Sequence, residues 1–239
     1  RVSRVDKASS TIWRRIAADT LYLSRLLGIT IINKFRRWSC GNAQSPIEGM
    51  HFFSFFPQMF HGDGREVKYG SFVNDADQFV VTILTDGIHQ KVSLTDYVRY
   101  SKESDERGYL LVDRFFRMVD LWTGIYWLSR GIVYYFRYRS RHQQFENLDV
   151  TGLVQPILCF SLSHIMRLLV FACAFTRLVR TVKFNQFVYY PHEYPFGRMV
   201  SYVLDKYQPT TVRIGFQMGM ASLRRTEQFL AADEARLHG

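Results

Sequence analysis

Short apolar runs alternate along this chain with longer stretches in which apolar residues recur every three or four positions. The first stretch is helical. Over 11–27, Ile12, Ile16, Ala17, Leu21, Leu23 and Leu27 roughly share one side, with Arg14, Arg15 and Arg25 among the polar positions, and that spacing predicts an amphipathic helix. Gly28 is placed to end or bend it. The β-branched residues 29–32 read either as a strand or as its continuation. A loop is expected over 39–49 from its composition. The run 50–56, stopped by Pro57, reads as a buried strand. A second loop over 58–70 carries Gly62-Asp63-Gly64 and Tyr69-Gly70, and a helix is expected near 71–78. The clearest strand is 79–84, closed by Thr85-Asp86-Gly87. A helix over 93–101 follows, with Ser93 as cap and Asp96 three residues on, an acidic form of the capping box.

The middle of the chain is expected to be helical over 109–138, where Gly124 and Gly131 interrupt the pattern, and again over 149–182, with Pro156 near its start. The alternation then resumes: strand 187–190 ended by Pro191, helix 195–207, strand 211–216 and a last helix over 222–237. Short apolar strands alternating with helices imply βαβ units and a mostly parallel sheet covered by helices. The expected class is therefore α/β, a Rossmann-like domain over 46–239 with a helical insertion near 109–182, preceded by a basic helical segment over 1–45.

Composition sharpens this picture. The chain has 239 residues, 47% of them hydrophobic and 16% aromatic, ample for a packed core and against disorder. Large rings fill the core first, and surplus rings suit a groove for a flat or sugar-like ligand. The net charge of +10 attracts nucleic acid, anionic lipid or phosphorylated small molecules without choosing among them. The basic residues form no single tail. They stand at Arg14-Arg15, Lys34-Arg36-Arg37, Arg137-Arg139-Arg141, Arg177-Arg180-Lys183 and Arg224-Arg225, several at ends of helical patterns, where they complement carbonyl ends and face anionic lipid.

The three cysteines, Cys40, Cys159 and Cys173, are odd in number and far apart, which argues for a reducing compartment and against a disulfide frame or zinc site. Cys159 and Cys173, in apolar runs, read as buried structural thiols. The most apolar stretch, 153–175, is long enough to span a bilayer, but Gln155, Pro156, His164 and Arg167 within it favour a buried helix. His164 reads as a core histidine. The chain opens at Arg1 without a signal peptide, and the natural start is expected upstream. The expected location is cytoplasmic, with peripheral attachment to the membrane's cytoplasmic face.

In an open parallel sheet, ligands sit beyond the carboxyl ends of the strands. That rule selects the connections 57–70, 85–91, 191–195 and 217–221, which offer His61, Asp63, Tyr69, Asp86, His89, His192, Glu193 and Gln217. The turn Gly62-Asp63-Gly64 could bring backbone amides to an anion, with Asp63 as a base or orienting group, or it is a plain turn. It matches neither a Walker loop nor GxGxxG. His192-Glu193, a carboxylate beside an imidazole at a strand end, suits general acid/base work or hydroxyl binding. The competing reading is that Glu193 favours the amino end of the next helix. Asp86, before Gly87, reads first as a turn residue and second as a binding residue. No His/Cys/Asp cluster has metal spacing, and there is no GxSxG elbow.

Two patches resemble bacterial surface-carbohydrate glycosyltransferases of the two-lobed (GT-B) type. Phe187-Val188-Tyr189-Tyr190-Pro191-His192-Glu193-Tyr194-Pro195-Phe196, then a helix and Thr211-Val212-Arg213-Ile214-Gly215-Phe216-Gln217, is similar to their strand ending in Y-x-x-E-x-x-P/W and their later strand ending in I-G-x-Q-H. Phe52-Phe53-Ser54-Phe55-Phe56-Pro57 with Tyr69-Gly70 resembles their F-S-Y-F-P … Y-x-G opening. The resemblance implies that this chain is the N-terminal, acceptor-side lobe, with Glu193 and Gln217 lining the cleft. It implies transfer from a nucleotide-sugar co-substrate to a glycan acceptor without an essential metal or other cofactor. Asp63 or Glu193 would take the acceptor proton, basic residues would hold the donor phosphate, and rings would stack on sugars. Met218 stands where the pattern has histidine, and Phe196-Gly197 where it has an aromatic followed by an acid. A second lobe, which binds much of the donor in most such enzymes, would follow about where the chain ends.

Two other classes compete. A nucleic-acid-binding module fits the charge but carries no recognised motif. A non-catalytic subunit of a larger assembly would dock partners through the aromatic helices of 109–175 and would show exposed apolar patches.

Overall fold

The fold is that of a computed structural model, which describes residues 2–37, 49–62, 65–67, 69, 78–84, 93–138, 141–190 and 195–216. Its centre is a five-stranded sheet, all parallel. The strands are β1 Met50–Phe55, β2 Gln78–Ile83, β3 Leu110–Leu111, β6 Gln186–Tyr189 and β7 Val212–Gly215, in the order β3-β2-β1-β6-β7. A small antiparallel hairpin pairs β4 Gln144–Phe145 with β5 Leu148–Asp149. The helices are α1 Val2–Arg37, α2 Leu94–Glu106, α3 Met118–Tyr138, α4 Thr151–Thr181 and α5 Pro195–Tyr207. The α/β class and the parallel, Rossmann-like sheet expected from the alternating pattern are what the structure has.

β1 is the central strand, which explains its mainly apolar run: it must be buried on both faces, and His51 through Phe55 are all buried. One face carries Phe53, Phe55 and Phe187, packed on α4 and α5. Phe171 lies 5.8 Å from Phe53, Phe175 5.8 Å from Phe187, and Phe196 6.3 Å from Phe55, ring centre to ring centre. The other face carries Phe52 and Val188, which cluster with Tyr69 and Tyr190. His51 is buried edge-on to Phe184 at 4.7 Å.

Several expectations need correction. The stretch 109–138 is not helical throughout. Leu110–Leu111 adds the edge strand β3, a 3-10 turn Val112–Phe115 follows, and only then does α3 start, running unbroken through Gly124 and Gly131. Asp149 belongs to the hairpin, so the second helical region starts at Thr151. Gln78 opens β2 rather than ending a helix. Residues 71–77, the loop residues 38–48 and the closing helix 222–237 lie outside the described residues.

The helix read over 11–27 extends over Val2–Arg37 and passes through Gly28. A Cβ on Gly28 would come within 2.8 Å of the Leu94 side chain, so this glycine serves the close approach of α2 rather than ending α1. Ile29–Ile32 continues the helix. Further on, Asn33 donates to the Asp113 carbonyl (2.8 Å) and accepts from the Tyr97 hydroxyl (2.7 Å), while the Asp113 carboxylate accepts from the Leu84 N–H (2.8 Å). The end of α1, α2 and the end of β2 are thereby tied together. Ser93 caps α2 as expected, accepting from the Asp96 N–H at 3.0 Å.

Two buried ion pairs join the long helices. Arg167 of α4 reaches Asp19 of α1 at 2.7 Å, and Arg177 of α4 grips Asp120 of α3 with two bonds of 2.6 Å while also donating to the Phe115 carbonyl. Such pairs are costly to break because either charge alone would be buried unpaired. The Asp120 hydrogen bonds raise the Arg177 guanidinium further above its ordinary value. Arg167, within the stretch long enough to span a bilayer, is thus a paired group inside a protein core. Among the described residues, no helix is long and apolar enough to cross a membrane. Cys173 is half-buried, and burial raises its thiol pKa; Cys40 and the side chain of Cys159 lie outside the described residues.

Candidate functional site

The strand order sets the site. From β1 the chain steps outward to β2 and β3, then returns to the other side of β1 to lay down β6 and β7. The direction of winding reverses between β1 and β6. At such a reversal the connections leaving the two neighbouring strands part to opposite sides, opening a crevice at their carboxyl ends. Here those ends are Phe55 and Tyr189.

After β1 the chain turns at once. Met59 N–H donates to the Phe55 carbonyl and Phe60 N–H to Pro57. Phe60 then bridges Glu66, and His61 N–H donates to the Arg65 carbonyl at 2.8 Å, so that His61 and Gly62 stand exposed at the tip of a small loop. A Cβ on Gly62 would meet nothing within 4 Å, so no steric demand reserves that position for glycine. Asp63 and Gly64 lie outside the described residues.

The base of the loop is held by a group that sequence reasoning passed over. Glu66 is 1% exposed. Its carboxylate accepts from the Ser54 hydroxyl at 2.7 Å and from the Tyr69 N–H at 2.5 Å. Ser54 in turn lies beside Thr82, which donates to the Ser54 carbonyl and accepts from the Phe56 N–H. A strip of buried polar groups therefore underlies the carboxyl edge at β1 and β2, each satisfied by a strand-end partner, as burial requires. The only sequence signal for Glu66 was an acid in a strand-end connection, a few residues before Tyr69.

Tyr69, a binding candidate, is set into the wall rather than onto the surface. It is 2% exposed. Its hydroxyl donates to the Phe53 carbonyl at 3.0 Å, and its ring stacks on Tyr190 at 4.8 Å while meeting Phe52 and Phe216 edge-on. Burial, reinforced by Tyr190 and Glu66, holds the phenol far above its usual pKa, so it stays neutral. Tyr190 follows β6, and Phe216 follows β7 with its N–H donated to the Tyr189 carbonyl at 2.8 Å. The carboxyl ends of β1, β6 and β7 are thus welded by three stacked or edge-on rings. On the facing side, α5 begins at Pro195, directly after the connection leaving β6, so its amino end lies at the same edge.

Of the residues nominated from sequence, the structure places His61 and Gly62 at the loop tip and Tyr69 in the wall. Asp63, Gly64, Asp86, His89, His192, Glu193 and Gln217 fall outside the described residues. Residues 191–194 join Tyr190 to Pro195, and Gln217 follows Phe216 directly. Among the described residues, no group of three or more His, Cys, Asp or Glu side chains could hold a metal ion.

A scan of protein-family models, a search of curated proteins and a search of solved structures find no match to the chain.

Proposed function

We propose that this chain is the acceptor-side lobe of a glycosyltransferase, moving a sugar from a nucleotide-activated donor to a surface-polysaccharide or lipid-linked glycan acceptor at the cytoplasmic face of a membrane. The observation that carries the reading is the winding reversal between β1 and β6. Those two strands and the connections leaving them contain one patch of resemblance to the GT-B enzymes, 52–57 with 69–70, and the first part of the other, 187–196. Two stretches about 120 residues apart in sequence, nominated on motif grounds, leave adjacent parallel strands at the crevice where α/β sheets bind ligands.

In this reading the acceptor hydroxyl forms a bond to the anomeric carbon of the donor sugar as the bond from that carbon to the nucleotide phosphate breaks. Asp63 or Glu193 takes the acceptor proton. The amino end of α5 and nearby basic residues offset charge on the departing phosphate. Glu66 and Tyr69 hold the wall of the crevice, and His61, Gly62, Gly64, Asp86, His192 and Gln217 are the polar groups available to sugars. The donor is a co-substrate rather than a resident cofactor.

The test is a titration of the purified chain, and of the full-length natural protein, with nucleotides and nucleotide sugars, followed by melting temperature. A ligand that binds the native state raises it by mass action, by about 2.7 kcal/mol of stability at a hundred times Kd. The reading expects a selective rise with one nucleotide class, diminished in Glu193→Gln or Asp63→Asn. The alternative of a non-catalytic assembly subunit draws on the exposed aromatic side of α3, and it expects no rise with any nucleotide. The nucleic-acid alternative expects tight, salt-sensitive RNA binding instead.

A further inference from the structure

The helices outgrow the sheet on one side. α4 ends beside the amino edge, where Gln208 bonds the Val182 carbonyl at 2.6 Å and β6 soon begins. Higher up, Phe171 of α4 meets Phe196 at the start of α5, at the carboxyl edge. α4 therefore runs antiparallel to the strands, and its first part, Thr151 up to Met166, extends roughly 20 Å beyond the carboxyl edge at 1.5 Å per residue. α3 accompanies it outward. Asp120 sits at Arg177, a Cβ on Gly124 would meet Val170, and Tyr135 clusters with Ile12 near Leu158. A three-helix projection thus rises on the same side as the crevice.

The outer side of α3 on this projection is aromatic and cationic. Trp122 is 70% and Tyr126 52% exposed, and Ile125, Val133 and Tyr134 are exposed with them. Among them stand Arg130, Arg137 and, just past the helix, Arg141. Their guanidinium groups lie over rings: Arg130 over Tyr126 and Trp127, Arg137 and Arg141 over Tyr138. Arg130 also donates to the Tyr126 hydroxyl at 2.7 Å. The single acid of α3, Asp120, is buried against Arg177. Among the described residues, no carboxylate pairs with Arg130, Arg137 or Arg141.

We infer that the outer side of α3 is a docking surface for an anionic lipid bilayer, with Trp122 and Tyr126 seated among the headgroups and Arg130, Arg137 and Arg141 on lipid phosphates. This deepens the peripheral attachment proposed above by assigning its surface. Amphipathic rings beside arginines, on a helix with no exposed acid, match the interfacial layer of a membrane. The exposed aliphatic groups Val119, Ile125 and Val133 favour acyl chains over nucleic acid, which offers them no complement. Because the projection rises from the carboxyl edge, docking there brings the crevice to the membrane surface, where a lipid-linked acceptor resides.

The test is flotation of the full chain with vesicles of phosphatidylcholine alone and of phosphatidylcholine with phosphatidylglycerol. The inference expects binding to the anionic vesicles that weakens with salt. It also expects quenching of tryptophan fluorescence by lipids brominated on their acyl chains. Each arginine near the surface is worth about fivefold in partitioning, so Arg130→Gln with Arg137→Gln should lower binding about twenty-fivefold without lowering the melting temperature. Should the double variant melt early, the quenching of the unaltered chain still decides. Absence of quenching, equal binding to both vesicle types, or binding to RNA or a second copy of the chain in place of vesicles would overturn it. Nucleotide-sugar binding is measured without vesicles, so failure here leaves that result separately readable.

Discussion

The rings of Tyr69 and Tyr190 lie 4.8 Å apart and 14° from parallel, joining the loop after β1 to the end of β6 across the line where the sheet reverses its winding. Both residues are buried, and they stand 121 positions apart in sequence by their numbers. The carboxyl ends of β1 and β6 are thus joined by a contact that forms only in the folded chain. Tyr69→Phe keeps the stack but leaves the Phe53 carbonyl without its donor, and should cost about 1 kcal/mol. Tyr69→Ala should cost about 3–5 kcal/mol through the cavity left behind. In a double-mutant cycle with Tyr190→Ala, urea unfolding should give a coupling of about 0.5–1.5 kcal/mol; additive losses would mean the stack contributes nothing of its own.

His51 makes stability fall in acid. Burial lowers its pKa to about 4, partly offset by hydrogen bonds with the backbone of Gly49 and Gln186, whereas in the unfolded chain it titrates near 6.5. Between those values the unfolded state binds more protons, so stability drops as pH falls from about 6.5 towards about 4 and is level, for this group, above 6.5. The full drop is at most roughly 3 kcal/mol. The difference in unfolding free energy between the parent chain and His51→Leu should therefore change across that window. A difference that stays flat would show that His51 is not held neutral.

Two helical glycines should respond to alanine with opposite sign. A Cβ on Gly28 meets the end of Leu94, a half-exposed side chain free to swing away, so Gly28→Ala should stabilise by up to about 1 kcal/mol through helix propensity. A Cβ on Gly124 comes within 2.5 Å of buried Leu23 and 3.2 Å of buried Val170. There overpacking exceeds the propensity gain, and Gly124→Ala should destabilise by about 1–2 kcal/mol. Thermal melts of the two variants check both signs.

These glycines also show what the sequence could and could not convey. In the pattern, Gly28, Gly124 and Gly131 look alike as punctuation, yet all three lie within helices, and what Gly28 and Gly124 accommodate is a side chain distant in sequence. The short apolar strands read at 50–56, 79–84 and 187–190 were legible because central strands are largely apolar on both faces. β3 was not, since Leu110–Leu111 is too short to show a period of its own inside an aromatic stretch. The β4–β5 hairpin turns through Glu146 and Asn147 at positive φ (47° and 70°) without the glycine that normally announces such a turn. Glu66 needed the folded loop itself, because nothing in its neighbours foretells a bond to Ser54. The connections 57–70 and 191–195 were nominated from the rule that ligands sit past strand ends, and the strand order adds that they leave adjacent strands.

The most direct test of the central claim is hydrogen exchange of the chain with and without the nucleotide sugar that raises its melting temperature most. A ligand in the crevice between β1 and β6 should slow exchange in the peptides covering 56–69, 190–198 and 214–218 and leave α3 unchanged. Protection confined to α3 or spread evenly over the chain, with those three segments unaltered, would contradict the site proposed here.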